Sequence, residues 1–349
     1  MFVEKRLIID TKSLTPTRPD FEIIGVFNPA VTEYAGKFLM IARVAEKVIQ
    51  TDPDYFLIPQ YSQGNGIHIR KVPKDSPDYD FSDLRLIKNH ETTFLTSVSH
   101  FRIGHSDDGV NFTFASQDII FPDNIYEEYG IEDPRIAKID DTYYVTFTAV
   151  SSNGINVRLM RTLDFKKYKR MGNILHCDNK DCVIFPEKIN GRYFCLHRPS
   201  ISQFGKLDIW LAESDNLRDW GNHQVMLQAR IDYQESVRVG AGATPFLTDK
   251  GWIVIYHSAD AKHNYHLTAM LLDKNDPTRV LAKSREPLVI PTETYEKSGF
   301  MNNVVFTCGL INKPEEVWIY YGVCDENIAL CKLSLAEVYR NLGVETSWA

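Results

Sequence analysis

Five times this 349-residue chain sets a turn residue and an aromatic ahead of alternating apolar residues. The copies are Gly36-Lys-Phe-Leu-Met-Ile-Ala-Arg43, Asp141-Thr-Tyr-Tyr-Val-Thr-Phe-Thr148, Gly191-Arg-Tyr-Phe-Cys-Leu-His-Arg198, Gly251-Trp-Ile-Val-Ile-Tyr-His-Ser258 and Glu316-Val-Trp-Ile-Tyr-Tyr-Gly-Val323. Alternation of this kind is the two-residue period of a buried strand entered through a tight turn. The copies start 105, 50, 60 and 65 residues apart, a spacing that fits propeller blades better than a sandwich. Another strand precedes each copy, over residues 26–34, 133–139, 182–189, 243–248 and 304–311. A third strand ends in a polar turn such as Ser106-Asp-Asp-Gly109 or Ser214-Asp-Asn-Leu217, which is hairpin chemistry. The pattern predicts an all-β fold, a five-bladed β-propeller of about four strands per blade, in one domain over residues 1–349.

Two stretches fall outside the repeat. Residues 46–99 lengthen the first blade and carry Asp52-Pro53-Asp54 and Pro73-Lys-Asp-Ser-Pro-Asp-Tyr-Asp80. These turn-rich clusters predict an excursion that closes over the central site. Ser334 and Glu337 have capping-box spacing, which predicts a short C-terminal helix. The formal charge is −7 with no block of like charges, so neither nucleic acid nor an anionic membrane is the expected partner. The first residues carry charges before any apolar run, and no later stretch is apolar for 18 residues. The expected location is cytoplasmic. The six cysteines mostly sit in apolar strand patterns and read as buried hydrophobes. No metal-ligand spacing is complete and no cofactor is expected.

In a propeller the innermost strands line a central channel, so polar residues within them are the candidates for chemistry. They are Asn28, Arg43, Asp133, Arg135, Lys180, Glu187, His197, Arg198, Glu235, Arg238, His257 and Asn303. Several are cationic although the chain is acidic. Cations gathered in one funnel would hold an anion, most simply phosphate. Each residue also has a plainer role: Asp133 and Arg135 as a local ion pair, Glu187 as a partner of Lys188, and His197 and His257 as hydrogen-bonded core residues. Asp133 stands beside Pro134 at the start of a buried strand, where desolvation would raise its pKa. A carboxyl placed to protonate a leaving oxygen suits cleavage of a glycosidic bond. The nucleophile is then either water, with a second carboxylate as base, or phosphate, held by cations.

The chain resembles glycoside hydrolase family 130, the mannoside phosphorylases and their hydrolytic relatives, and particularly its β-1,2-mannoside phosphorylases. The resemblance rests on Gly25-Val-Phe-Asn-Pro29, Arg43-Val-Ala-Glu46, Gly130-Ile-Glu-Asp-Pro-Arg135, Asn179-Lys-Asp181, Phe185-Pro-Glu-Lys-Ile-Asn-Gly191, Leu196-His-Arg-Pro199, Arg238-Val-Gly-Ala-Gly242 and Gly251-Trp through Tyr256-His257. It implies a five-bladed propeller. It implies that Asp133 is the general acid, acting through a hydroxyl of the bound mannose, and that Asn28 and Arg43 surround the sugar. Lys180, Arg198, Arg238 and His257 would bind phosphate. Glu187, Glu235 and Asn303 would contact substrate, and the two glutamates are the expected bases in a hydrolytic member. Two places depart from the family pattern: Ser258 follows Tyr256-His257, and Asn302-Asn303 stands where an acidic residue is expected.

The combined expectation is an inverting phosphorylase that cleaves short β-linked mannosides, chiefly β-1,2, with inorganic phosphate as co-substrate. It would release α-mannose 1-phosphate. A β-1,2-mannosidase of the same fold is the first alternative and a non-catalytic carbohydrate-binding propeller the second. The expected partners are an oligosaccharide and phosphate, with a homo-oligomer allowed.

Overall fold

The computed structural model describes residues 4–83, 85–200, 205–230 and 235–344. Among them the fold is all-β, with helix confined to Thr294–Lys297, Leu335–Leu342 and two 3-10 turns. Apart from two small sheets in the stretch 46–99, the strands form antiparallel units in chain order, the first two of them joined in one eight-stranded sheet. The first pairs Phe21–Tyr34 with Lys37–Val48, then Val98–Ser106 and Thr113–Ile120. The second runs Gly130–Ile139, Thr142–Ser151, Gly154–Thr162, Lys169–Leu175 and touches the first through one parallel bridge, Gly130 to Ser99. The third runs Asn179–Ile184, Tyr193–Pro199, Ile209–Ser214, Gly221–Leu227. In the fourth, Arg238–Ala241 and Phe246–Thr248 share the partner Gly251–Ala259, followed by Tyr265–Leu272 and Val280–Lys283. The fifth joins Val305–Asn312, Glu316–Val323 and Asn327–Ser334 to the N-terminal strand Glu4–Ile9.

Apolar side chains from neighbouring units form five shared cores. Phe101 and Val145 unite the first and second units. Leu159 and Cys195 unite the second and third, Leu196 and Trp252 the third and fourth, Ile255 and Ile319 the fourth and fifth. Met40 and Leu330 then bring the fifth back against the first. Sheets packed face to face in this way bury the apolar side of the inner strands.

The leading strand of each unit is irregular. The pairing register shifts between Phe27 and Ala30, between Glu132 and Arg135, and between Lys180 and Val183. At these bulges Asn28, Asp133 and Asp181 take φ values of 47°, 52° and 54°. Asn and Asp tolerate that left-handed conformation best among residues with a side chain. A bulge re-aims the side chain it carries, so three successive units present a polar group at the same level. The fifth unit shifts between Thr307 and Gly309, and the fourth breaks its leading strand in two.

Turn chemistry follows the sequence. Ser106, Thr162 and Ser214 each accept, through the side-chain oxygen, the amide three residues on. Asp108, Asp164 and Asn216 cap the next amides. Ser334 caps the terminal helix by accepting the Glu337 amide at 3.1 Å, and Gly343 ends it at φ 71°. Five of the six cysteines are buried and Cys177 is exposed. The excursion over residues 46–99 is built rather than loose. It holds the hairpin Tyr55–Ser62/Gly66–Pro73 and a small sheet of Asp80–Asp83, Leu86–Lys88 and Thr93–Leu95. Its own core, Ile58, Val72, Ile87 and Phe94, packs on Tyr129 and Val150 of the second unit. At its tip Arg85 reaches Met301, ahead of the fifth unit, with Nη1 3.6 Å from the sulfur. Among the described residues no helix is long and apolar enough to cross a membrane.

Candidate active site

The bulges converge on one polar cluster. Asp133, 4 % exposed, accepts a hydrogen bond from Asn28 Nδ2 at 2.8 Å and an ion pair from Arg43 Nη1 at 3.1 Å, both on Oδ1. Arg43 Nη2 pairs with Glu132 at 2.7 Å, and its guanidinium lies 4.6 Å over the Phe27 ring. A Cβ on Gly322 of the fifth unit would overlap Asn28 Oδ1, so only glycine lets that side chain in.

Beside this centre lies a second one around Asp181. Its Oδ2 is 2.7 Å from Arg198 Nη1 and 3.3 Å from His257 Nε2, and its Oδ1 is 3.2 Å from Arg135 Nη2. Arg135 is spent on fixed acceptors: its three nitrogens also bond the carbonyls of Asp133, Ala241 and Gly242. It is a strut that ties three units together. Arg198 faces Lys180 across the strand pair. The His257 ring lies 4.2 Å from that of Phe306, tilted by 35°. Arg238 lies 5.9 Å over the Tyr265 ring, and both Arg238 and Arg198 act on the Tyr265 hydroxyl.

Charges in the cluster set one another. Burial would raise the Asp133 pKa, but Arg43, Lys180, Arg135 and the Asn28 bond outweigh it and hold the carboxyl below its ordinary value. The raised pKa expected from the sequence is therefore reversed. The carboxyl that is pushed up is Asp325, to about 6, by burial against Arg43 and by Asp133 and Glu132 nearby. Burial also raises the Asp181 pKa less than Arg198, His257 and Arg135 lower it, so it stays well below the carboxylate range. His257 is driven down to about 4, by burial first and then by the two arginines against Asp181. It is neutral near pH 7, so the cations expected here number three rather than four: Lys180, Arg198 and Arg238.

Several polar atoms in this cluster are buried without a hydrogen-bond partner: Arg198 Nε, Arg238 Nε, His257 Nδ1 and Asn28 Oδ1. Such atoms are costly in a folded core, and a bound polar ligand would satisfy those gathered here.

Of the residues singled out from sequence, Asn28, Arg43, Asp133, Lys180, Arg198, Arg238 and His257 come together. Asn303 stands at the margin, where its carbonyl accepts the Tyr265 amide. Glu187 does not join them. It is exposed in the turn after Asn179–Ile184, six residues past Asp181, or roughly 20 Å along an extended chain. Glu235 is 1 % exposed, yet its carboxylate is committed to the Tyr256 hydroxyl at 2.7 Å and to Lys283. Tyr256 and His257 are adjacent on a strand and point to opposite faces, which puts Glu235 in the core between the third and fourth units. His197 is a satisfied core histidine, bonded to Asn179 and His223, with a pKa lowered to about 3 by burial and by His223. The structure adds Asp325, Asp181, Tyr265 and Phe306. Asp325, in the Cys324-Asp325 turn, is an acidic neighbour of Arg43, Asp133 and Glu132.

Comparison with known proteins gives a family profile for glycoside hydrolase family 130, described as β-1,4-mannooligosaccharide phosphorylase, which matches residues 84–342. A β-1,2-mannobiose phosphorylase of Listeria innocua is 42% identical over 347 residues, 98% of each chain. A 1,2-β-oligomannan phosphorylase of a Thermoanaerobacter species is 38% identical over 242 residues, 68% of this chain and 80% of that one. The structure of the Listeria innocua β-1,2-mannobiose phosphorylase bound to β-1,2-mannobiose superimposes with a TM-score of 0.94, covering 99% of this chain and 100% of that chain.

Proposed function

The chain belongs to glycoside hydrolase family 130, and from that premise we propose that it is an inverting mannoside phosphorylase whose five units are the blades of one propeller. Its substrates are short β-1,2-mannosides and inorganic phosphate. No further cofactor enters the reaction. The cluster around Asp133 and Asp181 is the active site on the axis where the blades meet.

The roles follow from position. Asn28 and Arg43 border the sugar beside Asp133. Lys180, Arg198 and Arg238 hold the phosphate, and neutral His257 supports it through hydrogen bonding. A phosphate oxygen forms the new bond to the anomeric carbon from the face opposite the leaving group. The glycosidic C–O bond breaks with its electron pair moving to the leaving oxygen, which takes a proton. Asp133 supplies that proton, relayed by a mannose hydroxyl. The products are α-mannose 1-phosphate and a shortened mannoside. In the free site the cations keep Asp133 ionised. A phosphate bound among those cations offsets their field and lifts the Asp133 pKa, so proton donation becomes competent only when the nucleophile is present.

The observation that carries this reading is the pair of buried, unpartnered guanidinium donors, Arg198 Nε and Arg238 Nε, in the cluster around Asp181, His257 and Tyr265. An anion answers them and water does not require them. The hydrolytic alternative loses its bases, since Glu187 is exposed and Glu235 is bound to Lys283. The decisive experiment incubates the protein with β-1,2-mannobiose with and without phosphate. Mannose 1-phosphate should form only with phosphate. Equal cleavage in phosphate-free buffer, yielding free mannose, would reject phosphorolysis.

A further inference from the structure

A carboxylate stands among the cations that receive the anion. Asp181 is 1 % exposed and sits between Arg198 at 2.7 Å, His257 at 3.3 Å and Arg135 at 3.2 Å. It occupies the same left-handed bulge position as Asn28 and Asp133, both of which face the reacting centre. The backbone opposite is glycine: a Cβ on Gly240 would overlap both Asp181 Oδ2 and His257 Nε2. Arg198 Nη1, which can only donate, also lies 3.2 Å from His257 Nε2, so Asp181 is the acceptor of this cluster and the buried, unpartnered His257 Nδ1 is a donor beside it.

Donors alone would serve any tetrahedral oxyanion. Donors interleaved with acceptors serve one that still carries a proton. Near neutral pH phosphate keeps one or two protons and sulfate keeps none, while their shapes are alike. An ionised carboxylate accepts a hydrogen bond from a P–OH group and repels an anion that has none to give. Resting on the phosphorolysis reading above, we propose that Asp181 is the residue that selects the anion. It accepts the P–OH hydrogen bond, so the site takes phosphate or arsenate and rejects sulfate.

The test is competition. β-1,2-Mannobiose phosphorolysis is followed against phosphate with sulfate as inhibitor, in wild type and in Asp181→Asn, whose amide can donate to either anion. In wild type the sulfate Ki should exceed the phosphate KM by at least about a hundredfold. In Asp181→Asn that ratio should fall by at least about tenfold, the size of one charge-assisted hydrogen bond. A wild-type sulfate Ki within about threefold of the phosphate KM would overturn the proposal, as would a folded Asp181→Asn protein with an unchanged ratio. A general loss of structure would move kcat and both anions together and leave the ratio alone. Should Asp181→Asn fail to fold, the wild-type competition still decides. Thermal shift of the wild-type protein with phosphate or with sulfate reads anion choice without turnover. Selectivity there, with no phosphate-dependent cleavage, would sink the phosphorolysis reading and spare the anion choice.

Discussion

Asp133 must give up a proton although its neighbours hold it ionised. Its left-handed φ also limits what can replace it. Asparagine keeps that backbone conformation and the contact with Asn28, so Asp133→Asn is the clean variant. It should lower kcat at least about a hundredfold in a protein that remains folded. Wild-type kcat in the folded variant would free Asp133 from the role. Asp325 makes a different prediction, because its pKa is raised to about 6. A carboxyl raised above its unfolded value near 4 contributes stability that is complete below that value. The contribution is lost as pH rises through about 6. Melting temperature measured between pH 4 and 7 should therefore fall less with rising pH in Asp325→Asn than in wild type; parallel curves would show that Asp325 titrates normally. The Asp133 motif was legible because Gly130-Ile-Glu-Asp-Pro-Arg135 concentrates charge at the start of an apolar strand. Its pKa was not, since Arg43 and Lys180 lie about 90 and 47 positions away in the chain.

At the scale of strands and turns, the second strand of every unit was readable to within a few residues, because aromatic and β-branched residues alternate there without interruption. The bulges were hidden. An extra residue at Asn28-Pro29 or Asp133-Pro134 leaves the apolar pattern intact while rotating one side chain inward. Asp181 has no proline to mark it. The misplaced glutamates have a related cause: a polar residue near a strand end reads the same whether that end faces the centre or the far turn, as Glu187 shows. Glu235 is claimed by Lys283, 48 positions away, which no local pattern announces. Gly240 offers the test at this scale. Gly240→Ala places a methyl group against Asp181 and His257, so the KM for phosphate should rise at least about tenfold while the KM for mannobiose changes little, the loss of one charged contact. Equal increases in both would mean that the site has deformed as a whole.

For the whole molecule, the five shared cores and the pairing of Glu4–Ile9 with Asn327–Ser334 make every unit depend on two neighbours. That closure is pinned by Lys5, whose ammonium is 2.8 Å from Glu296, a fully buried carboxylate that also accepts the Tyr321 hydroxyl. Lys5→Met should destabilise the fold by about 3 kcal/mol, the cost of leaving a buried charge without its partner. Denaturant unfolding measures this, and a loss under about 1 kcal/mol would show that Glu296 is held by its other donors alone. The all-β character was legible from the repeat, but that the N-terminal strand pairs with Asn327–Ser334 was not, because Glu4–Ile9 carries no aromatic or turn signal of its own.

That shared sheet also imposes an order on birth. Glu4–Ile9 is translated more than three hundred residues before the strand it pairs with, Asn327–Ser334. At about 5–20 residues per second the delay is roughly 15–65 s. Throughout it, Leu7, Ile8 and Ile9 lack their native partner strand, and an unpaired edge of this kind is a template for pairing with another chain.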